Sequence, residues 1–152
     1  MKMDKPMHIH VKEGAVPWKF TSTRRVPLCY EKEAEKTVNE LVNKGVIVPA
    51  NETTDWCSAA FFVPKGHKIR VRLVTDYTEL KKHVKRPIHP FSCTKEILQA
   101  VPKEAKVFVK LDAEQGYFQL GLDKESSKVT TFLLPQGKFR YCLLYTSPSP
   151  RD

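Results

Sequence analysis

The chain has 152 residues, of which 41% are hydrophobic and 28% charged, with a formal net charge of +9. That length gives one domain with a core, and no apolar run approaches the ~20 residues of a membrane span. The start, Met1-Lys-Met-Asp-Lys-Pro6, lacks a signal-peptide core, so an intracellular protein is expected. The charge favours an anionic partner, nucleic acid or nucleotide ahead of a membrane surface or a merely soluble basic protein, and no membrane partner is expected. Residues 1–20 are polar and irregular, with Pro6 and Pro17, and read as an extended arm. From Glu31 to Lys44, Ala34, Val38, Leu41 and Val42 recur at helical spacing, which predicts an amphipathic helix closed by Gly45. Val46–Val48 reads as a short strand and 49–55 as a loop. Ala59–Val63 reads as a strand that stops at Pro64. After a turn at 65–68, Ile69, Val71 and Leu73 alternate with Arg70, Arg72 and Val74, so a hairpin with both arginines on one face is expected.

Residues 77–82 read as a helical turn, 85–90 as extended because of their prolines, and Thr94–Gln99 as a short helix capped by Thr94. The apolar run Val107–Leu111 reads as a buried strand, followed by a turn at 114–116 and a strand through Leu122. Asp123–Ser127 reads as a turn, and 129–134 with 139–141 as a hairpin around Gln136-Gly137. Helices inserted among antiparallel strands make the class α+β. Cys29, Cys57, Cys93 and Cys142 have neither zinc-finger nor redox spacing and are expected to be free thiols.

The chemistry is carried by Asp112 at the end of the 107–111 run. A strand end that presents a carboxylate fixes it well enough to hold a divalent ion, and the Ala113 carbonyl offers a second ligand. Alone, Asp112 reads as the cap of a turn. Tyr117, after Gly116, can stack under a sugar and exclude a 2′-hydroxyl by contact, or simply fill the core. Lys65, Lys68, Arg70 and Arg72 crowd one turn and strand and suit a triphosphate, or form a solvated strand face. Asp76 is placed to order Arg72 or a lysine by a charge pair. Trp56, Phe61 and Phe62, interleaved with basic residues, can stack on a template base, with core packing the fate of at least one phenylalanine.

Arg24-Arg-Val-Pro27, Gly45-Val-Ile47, Trp56-Cys-Ser58, Phe62-Val-Pro-Lys65, Arg72-Leu-Val-Thr-Asp76-Tyr77, Arg86-Pro87, Leu111-Asp112-Ala113 and Gly116-Tyr-Phe-Gln119 follow one another in order. This succession, from about Met7 to Tyr141, resembles the fingers and early palm of a gypsy-type long-terminal-repeat retrotransposon reverse transcriptase, part of a Pol polyprotein. The resemblance implies an incomplete right-hand polymerase fold over residues 21–141, preceded by the arm at 1–20. It implies that Asp112 is the first of three catalytic carboxylates and holds metal with the Ala113 carbonyl. The incoming deoxynucleoside triphosphate would meet Lys65 or Lys68, Arg72, Ala113 and the sugar gate Tyr117, and the template would meet Phe61 and Asp76. Two Mg2+ (or Mn2+) ions, an RNA or DNA template-primer, and the remaining palm, thumb, ribonuclease H and integrase regions are the implied cofactors and partners, in the cytoplasm or in virus-like particles.

Two departures matter. Leu80-Lys81 stands where the family has Leu-Asn, and no Tyr-x-Asp-Asp hairpin follows. One carboxylate cannot hold two metals, so the chain alone is expected to be inactive, with a poorly covered palm sheet. The alternative is a truncated remnant that binds nucleic acid without chemistry. Cys142–Asp152 matches, residue for residue, a translation of the adaptor used in transposase-based sequencing libraries, so natural sequence is expected to stop near Tyr141.

Overall fold

The computed structural model describes residues 6–65, 70–86, 90, 92–109 and 120–144. The elements in chain order are a 3-10 turn Leu28–Tyr30, α1 (Glu31–Asn43), β1 (Ile47–Pro49), β2 (Ser58–Pro64), β3 (Val71–Asp76), α2 (Thr78–His83), α3 (Thr94–Gln99), α4 (Lys124–Val129), β4 (Phe132–Leu134) and β5 (Gly137–Tyr141). The strands form one sheet in the order β1-β5-β4-β2-β3. All neighbours are antiparallel except β2 and β4, which pair in parallel through Ser58–Phe132 and Ala59–Leu133. The α+β class with largely antiparallel strands and short helices is therefore observed.

The core follows from the apolar spacing. Ala34 and Val38, one helical turn apart, are buried on α1, and Val38 packs with Val46, Ile47, Ala60, Leu73, Phe132, Leu134, Phe139 and Tyr141. Glu31 and Glu33 sit in the first turn of α1, where the helix dipole favours them. The helix stops because Gly45 takes φ +67°: its N–H bonds Val42 O (2.9 Å) and the Val46 N–H bonds Leu41 O (2.9 Å), closing the last carbonyls.

Residues 6–20 form no helix, turn at Glu13-Gly14 and are strapped to the body. Met7 N donates to Gly121 O (2.7 Å), Ile9 N to Ser126 Oγ (2.7 Å), Lys12 N to His83 O (2.8 Å), and Phe20 N to Cys57 O (2.8 Å).

Several expectations are corrected. Asp123–Ser127 is no turn: Asp123 Oδ1 accepts from Ser126 N (2.7 Å) and starts α4, which runs to Val129. The α3 cap is Cys93, whose N–H donates to Glu96 Oε2 (2.9 Å), and Thr94 is the first helical residue. Gly121 and Leu122 form single bridges, to Leu143 and Met7, and no strand. The largest correction concerns Val107–Leu111. Val107, Phe108 and Val109 are in no strand and are 81%, 73% and 78% exposed. A strand gains burial only from partners, and no described strand lies beside this run. The turn at 65–68 beyond Lys65, the extended 87–89, Lys110–Leu111, the turn at 114–116 and the strand through Gln119 lie outside the described residues.

Candidate triphosphate and nucleic-acid face

The β2–β3 hairpin has two unlike faces. Its register pairs Ala59 with Asp76, Phe61 with Val74 and Val63 with Arg72, and residues directly opposite project to the same side. The hairpin is closed by Lys65 N donating to Arg70 O (2.8 Å). Val71, Leu73 and Thr75 alternate into the core. Arg70, Arg72 and Asp76 alternate out to water, and the outward side of β2 carries Phe61, Val63 and Lys65. The expected common face for the two arginines is thus observed, and it brings Lys65, Arg72 and Phe61 onto one side of one hairpin.

Charge distinguishes this face from the rest of the sheet. At the far edge, Lys128 and Arg140 reach Glu52 Oε2 (3.5 and 3.6 Å), and Lys138 Nζ donates to Glu52 O (2.6 Å). Lys65, Arg70 and Arg72 have no carboxylate within 4 Å among the described residues.

Asp76 does not pair with Arg72. Four residues along a strand separate them by roughly 13 Å. Instead Asp76 Oδ1 accepts from Thr78 N (3.0 Å) and Thr78 Oγ1 (2.6 Å), fastening the start of α2. These two bonds, the hydroxyl's first, hold the carboxyl below its usual range; partial burial opposes them, and the charges of Arg24 and Lys81 add to them.

Of the three aromatics, Phe62 packs against the core and Trp56 lies 5.5 Å from His83, ring centroid to centroid. Phe61, on the outward face, lies under the Arg24 guanidinium, with Cζ 5.0 Å from the ring centroid. Sequence reasoning gave Arg24 no role of its own. No local signal announces the contact, because the two residues meet only through the fold.

Beneath this face, Thr75 Oγ1 and Tyr141 Oη are 3.1 Å apart, and Tyr77 Oη donates to Thr130 O (2.8 Å). Burial first, and the neighbouring Tyr141 second, push the Tyr77 phenol well above its ordinary range. The Tyr77 hydroxyl is thus a structural donor rather than an acid–base group.

Asp112, Ala113, Tyr117 and Lys68 lie outside the described residues. Among the described residues, no three His, Cys, Asp or Glu side chains are grouped to hold a metal ion, and no helix is long and apolar enough to cross a membrane. The four cysteines are free thiols; burial raises the Cys57 thiol above its usual range, against the lowering charges of Lys138 and Lys19.

No family model matches the sequence. The chain is 31% identical over 113 residues to the enzymatic polyprotein of Carnation etched ring virus, covering 72% of this chain and 17% of that protein. It is 28% identical over 130 residues to the retrovirus-related Pol polyprotein from transposon 412 of Drosophila melanogaster, covering 82% of this chain and 10% of that protein. It therefore spans a small part of the relatives it matches. Its fold is similar to that of the prototype foamy virus protease–reverse transcriptase, with a TM-score of 0.74 at 19% identity over 95% of this chain and 19% of the viral one. A foamy viral protease–reverse transcriptase in complex with an RNA/DNA hybrid gives 0.70 at 18% identity, over 96% of this chain and 19% of that one. The chain is thus related to the Pol and enzymatic polyproteins of retrotransposons and viruses, and it has the fold of a fragment of a polymerase-like viral protein.

Proposed function

We propose that the chain is the fingers and early palm of a gypsy-type reverse transcriptase. In the full-length protein it would take part in RNA-directed DNA synthesis. The observation that carries this reading is the outward face of the β2–β3 hairpin, where Lys65 and Arg72 have no carboxylate within 4 Å among the described residues, on the side that carries Phe61. In this reading Arg72, with Lys65 or Lys68, neutralises the triphosphate of an incoming deoxynucleotide. Tyr117 gates its sugar, and Phe61 and Asp76 lie toward the template. The related polyproteins and the foamy-virus fold support the assignment, and the foamy-virus complexes with double-stranded DNA and RNA/DNA hybrid support a template-primer as partner.

Asp112, with the Ala113 carbonyl, is the metal-binding element of the proposal. In the full-length protein two Mg2+ (or Mn2+) ions would activate the attacking hydroxyl and stabilise the leaving pyrophosphate. A single carboxylate does not fit two ions, so no catalytic step is assigned to the chain alone. Its share is to position the triphosphate and offset its charge.

The test is binding of a labelled RNA/DNA primer-template to the 152-residue chain over a salt series, with primer extension in magnesium and deoxynucleotides run alongside. Steeply salt-dependent binding without extension is expected. Extension would overturn the inactivity of the fragment, and absence of salt-dependent binding would remove the nucleic-acid reading. Sequencing the source locus past Tyr141 separates the two forms of that reading. A frame that continues to a Tyr-x-Asp-Asp hairpin makes the chain a piece of a polymerase. A genomic Cys142–Asp152 followed by a stop favours the non-catalytic binding remnant.

A further inference from the structure

Resting on the nucleic-acid reading above, we propose that Lys128, Lys138 and Arg140 form a second phosphate subsite for a nucleic-acid strand. Glu52 occupies this subsite in the free chain and acts as an internal competitor.

The register places the subsite. Val63 stands opposite Arg72, Ala59 opposite Leu133, and Leu133 opposite Lys138. Directly opposed residues, and residues two apart in one strand, project to the same side. Lys138 and Arg140 therefore share the outward side of the sheet with Arg72, while Phe139 and Tyr141 of the same strand fill the core. Three strand spacings and four residues separate Lys138 from Arg72, roughly 20 Å. A nucleic-acid strand spans that distance and a single nucleotide does not.

Charge decides what fits. Lys128 Nζ and Arg140 Nη1 lie 3.5 and 3.6 Å from Glu52 Oε2, beyond good hydrogen-bond length. Lys138 Nζ donates to the Glu52 carbonyl (2.6 Å), so its charge is bonded but not neutralised. No other carboxylate lies within 4 Å of the three cations among the described residues. Arg140 Nε is buried without a hydrogen-bond partner, so one donor of the guanidinium fork is unused. Three cations thus share one carboxylate. Glu52 is 53% exposed, on the loop between β1 and β2, and loses little on leaving, because exposed ion pairs are weak. A phosphodiester carries two free oxygens on one centre and pairs more strongly with an arginine fork flanked by lysines. The two anions cannot share the subsite, so the strand displaces the carboxylate.

The test is fluorescence anisotropy of labelled oligothymidylate over a salt series, with the intact chain, Glu52→Gln and the double variant Lys128→Gln/Lys138→Gln. Titration calorimetry of thymidine triphosphate runs alongside. Glu52→Gln should tighten oligothymidylate binding several-fold and leave triphosphate affinity unchanged. It keeps the side chain's size at a half-exposed position, and a gain in affinity cannot come from unfolding. The double variant should lower the salt slope by about 0.7, the contribution of one phosphate on a single strand. Unchanged or weaker binding in Glu52→Gln, or an unchanged slope in the double variant, overturns this subsite alone. A triphosphate that gains as much as the oligomer makes the site one for free phosphates and overturns the strand as occupant. Displacement of the oligomer by polyglutamate as readily as by unlabelled oligothymidylate overturns it in favour of an acidic protein. An intact chain that shows no salt-dependent binding overturns the nucleic-acid reading and the subsite with it.

Discussion

Replacing Phe108 with alanine distinguishes the exposed Val107–Val109 run from the buried strand that its composition suggests. Phe108 is 73% exposed, so about a quarter of its surface is covered, worth roughly 0.5 kcal/mol by apolar-area bookkeeping. A buried strand phenylalanine would instead cost ~3–5 kcal/mol on truncation. The internal standard is Phe132, which is fully buried and packs on the rings of Phe139 (6.2 Å) and Tyr141 (4.9 Å). Phe132→Ala should cost the full ~3–5 kcal/mol, a large share of the ~5–15 kcal/mol that holds a domain folded. Equilibrium urea unfolding followed by the fluorescence of Trp18 and Trp56 reads both variants. A loss above ~1.5 kcal/mol in Phe108→Ala would refute the reasoning, because an exposed side chain has no such energy to lose.

Gly45→Ala should cost about 1–2 kcal/mol in the same assay, since an added Cβ meets nothing within 4 Å and the whole penalty is the left-handed backbone at φ +67°. Asp123 caps α4, and its carboxyl is pulled down to about 2, first by the Ser126 backbone and side chain and then by His8. A folded value below the ordinary 3.8 means that this group stabilises at neutral pH and loses its contribution as pH falls from about 4 through about 2. The Tm deficit of Asp123→Ala seen at pH 7 should therefore shrink below pH about 2, and a deficit that stays constant would contradict the assignment. Arg72→Ala should weaken deoxynucleoside triphosphate binding ~10-fold or more, the value of a charge-assisted hydrogen bond of ~1.5–3 kcal/mol, without altering urea stability. Unchanged affinity by titration calorimetry would remove Arg72 from the triphosphate site.

What the sequence disclosed was what short-range periodicity controls. The spacing of Ala34 and Val38 with Gly45 behind them gave α1 nearly to the residue, and the alternation around Leu73 with Pro64 opposite gave the hairpin and its outward arginines. It misled wherever burial depends on a distant partner. Asp123-Lys-Glu-Ser-Ser127 has no apolar residue and reads as a turn. Yet Ser126 and Ser127 are buried, because Ile9 N donates to one and the other donates to Tyr141 O. The opposite error fell on Val107–Val109, where apolar composition suggested burial that no described strand supplies. The bonds that Thr78 donates to Asp76 were missed, because the sequence reading gave that carboxylate to Arg72 or a lysine and weighed charge above the local turn. The Arg24–Phe61 contact was missed because it joins a loop to a strand.

These differences bear on how binding and chemistry divide within the chain. Arg72 is held in place by what lies beneath it: Val71, Leu73 and Thr75 are buried, so a slip of one residue would send Arg72 inward and Leu73 out to water. The outward cationic face therefore inherits its geometry from the core and needs no bound ligand to form. Val107–Val109, which lead toward Asp112, have no such anchor among the described residues. Two-metal catalysis depends on carboxylates fixed to within a fraction of an ångström, whereas anion binding by a cluster of cations tolerates looser placement. On the proposed function, a chain with a firm cationic hairpin and no described strand beside Val107–Val109 would hold a nucleotide or a strand and would depend on further sheet to act on it.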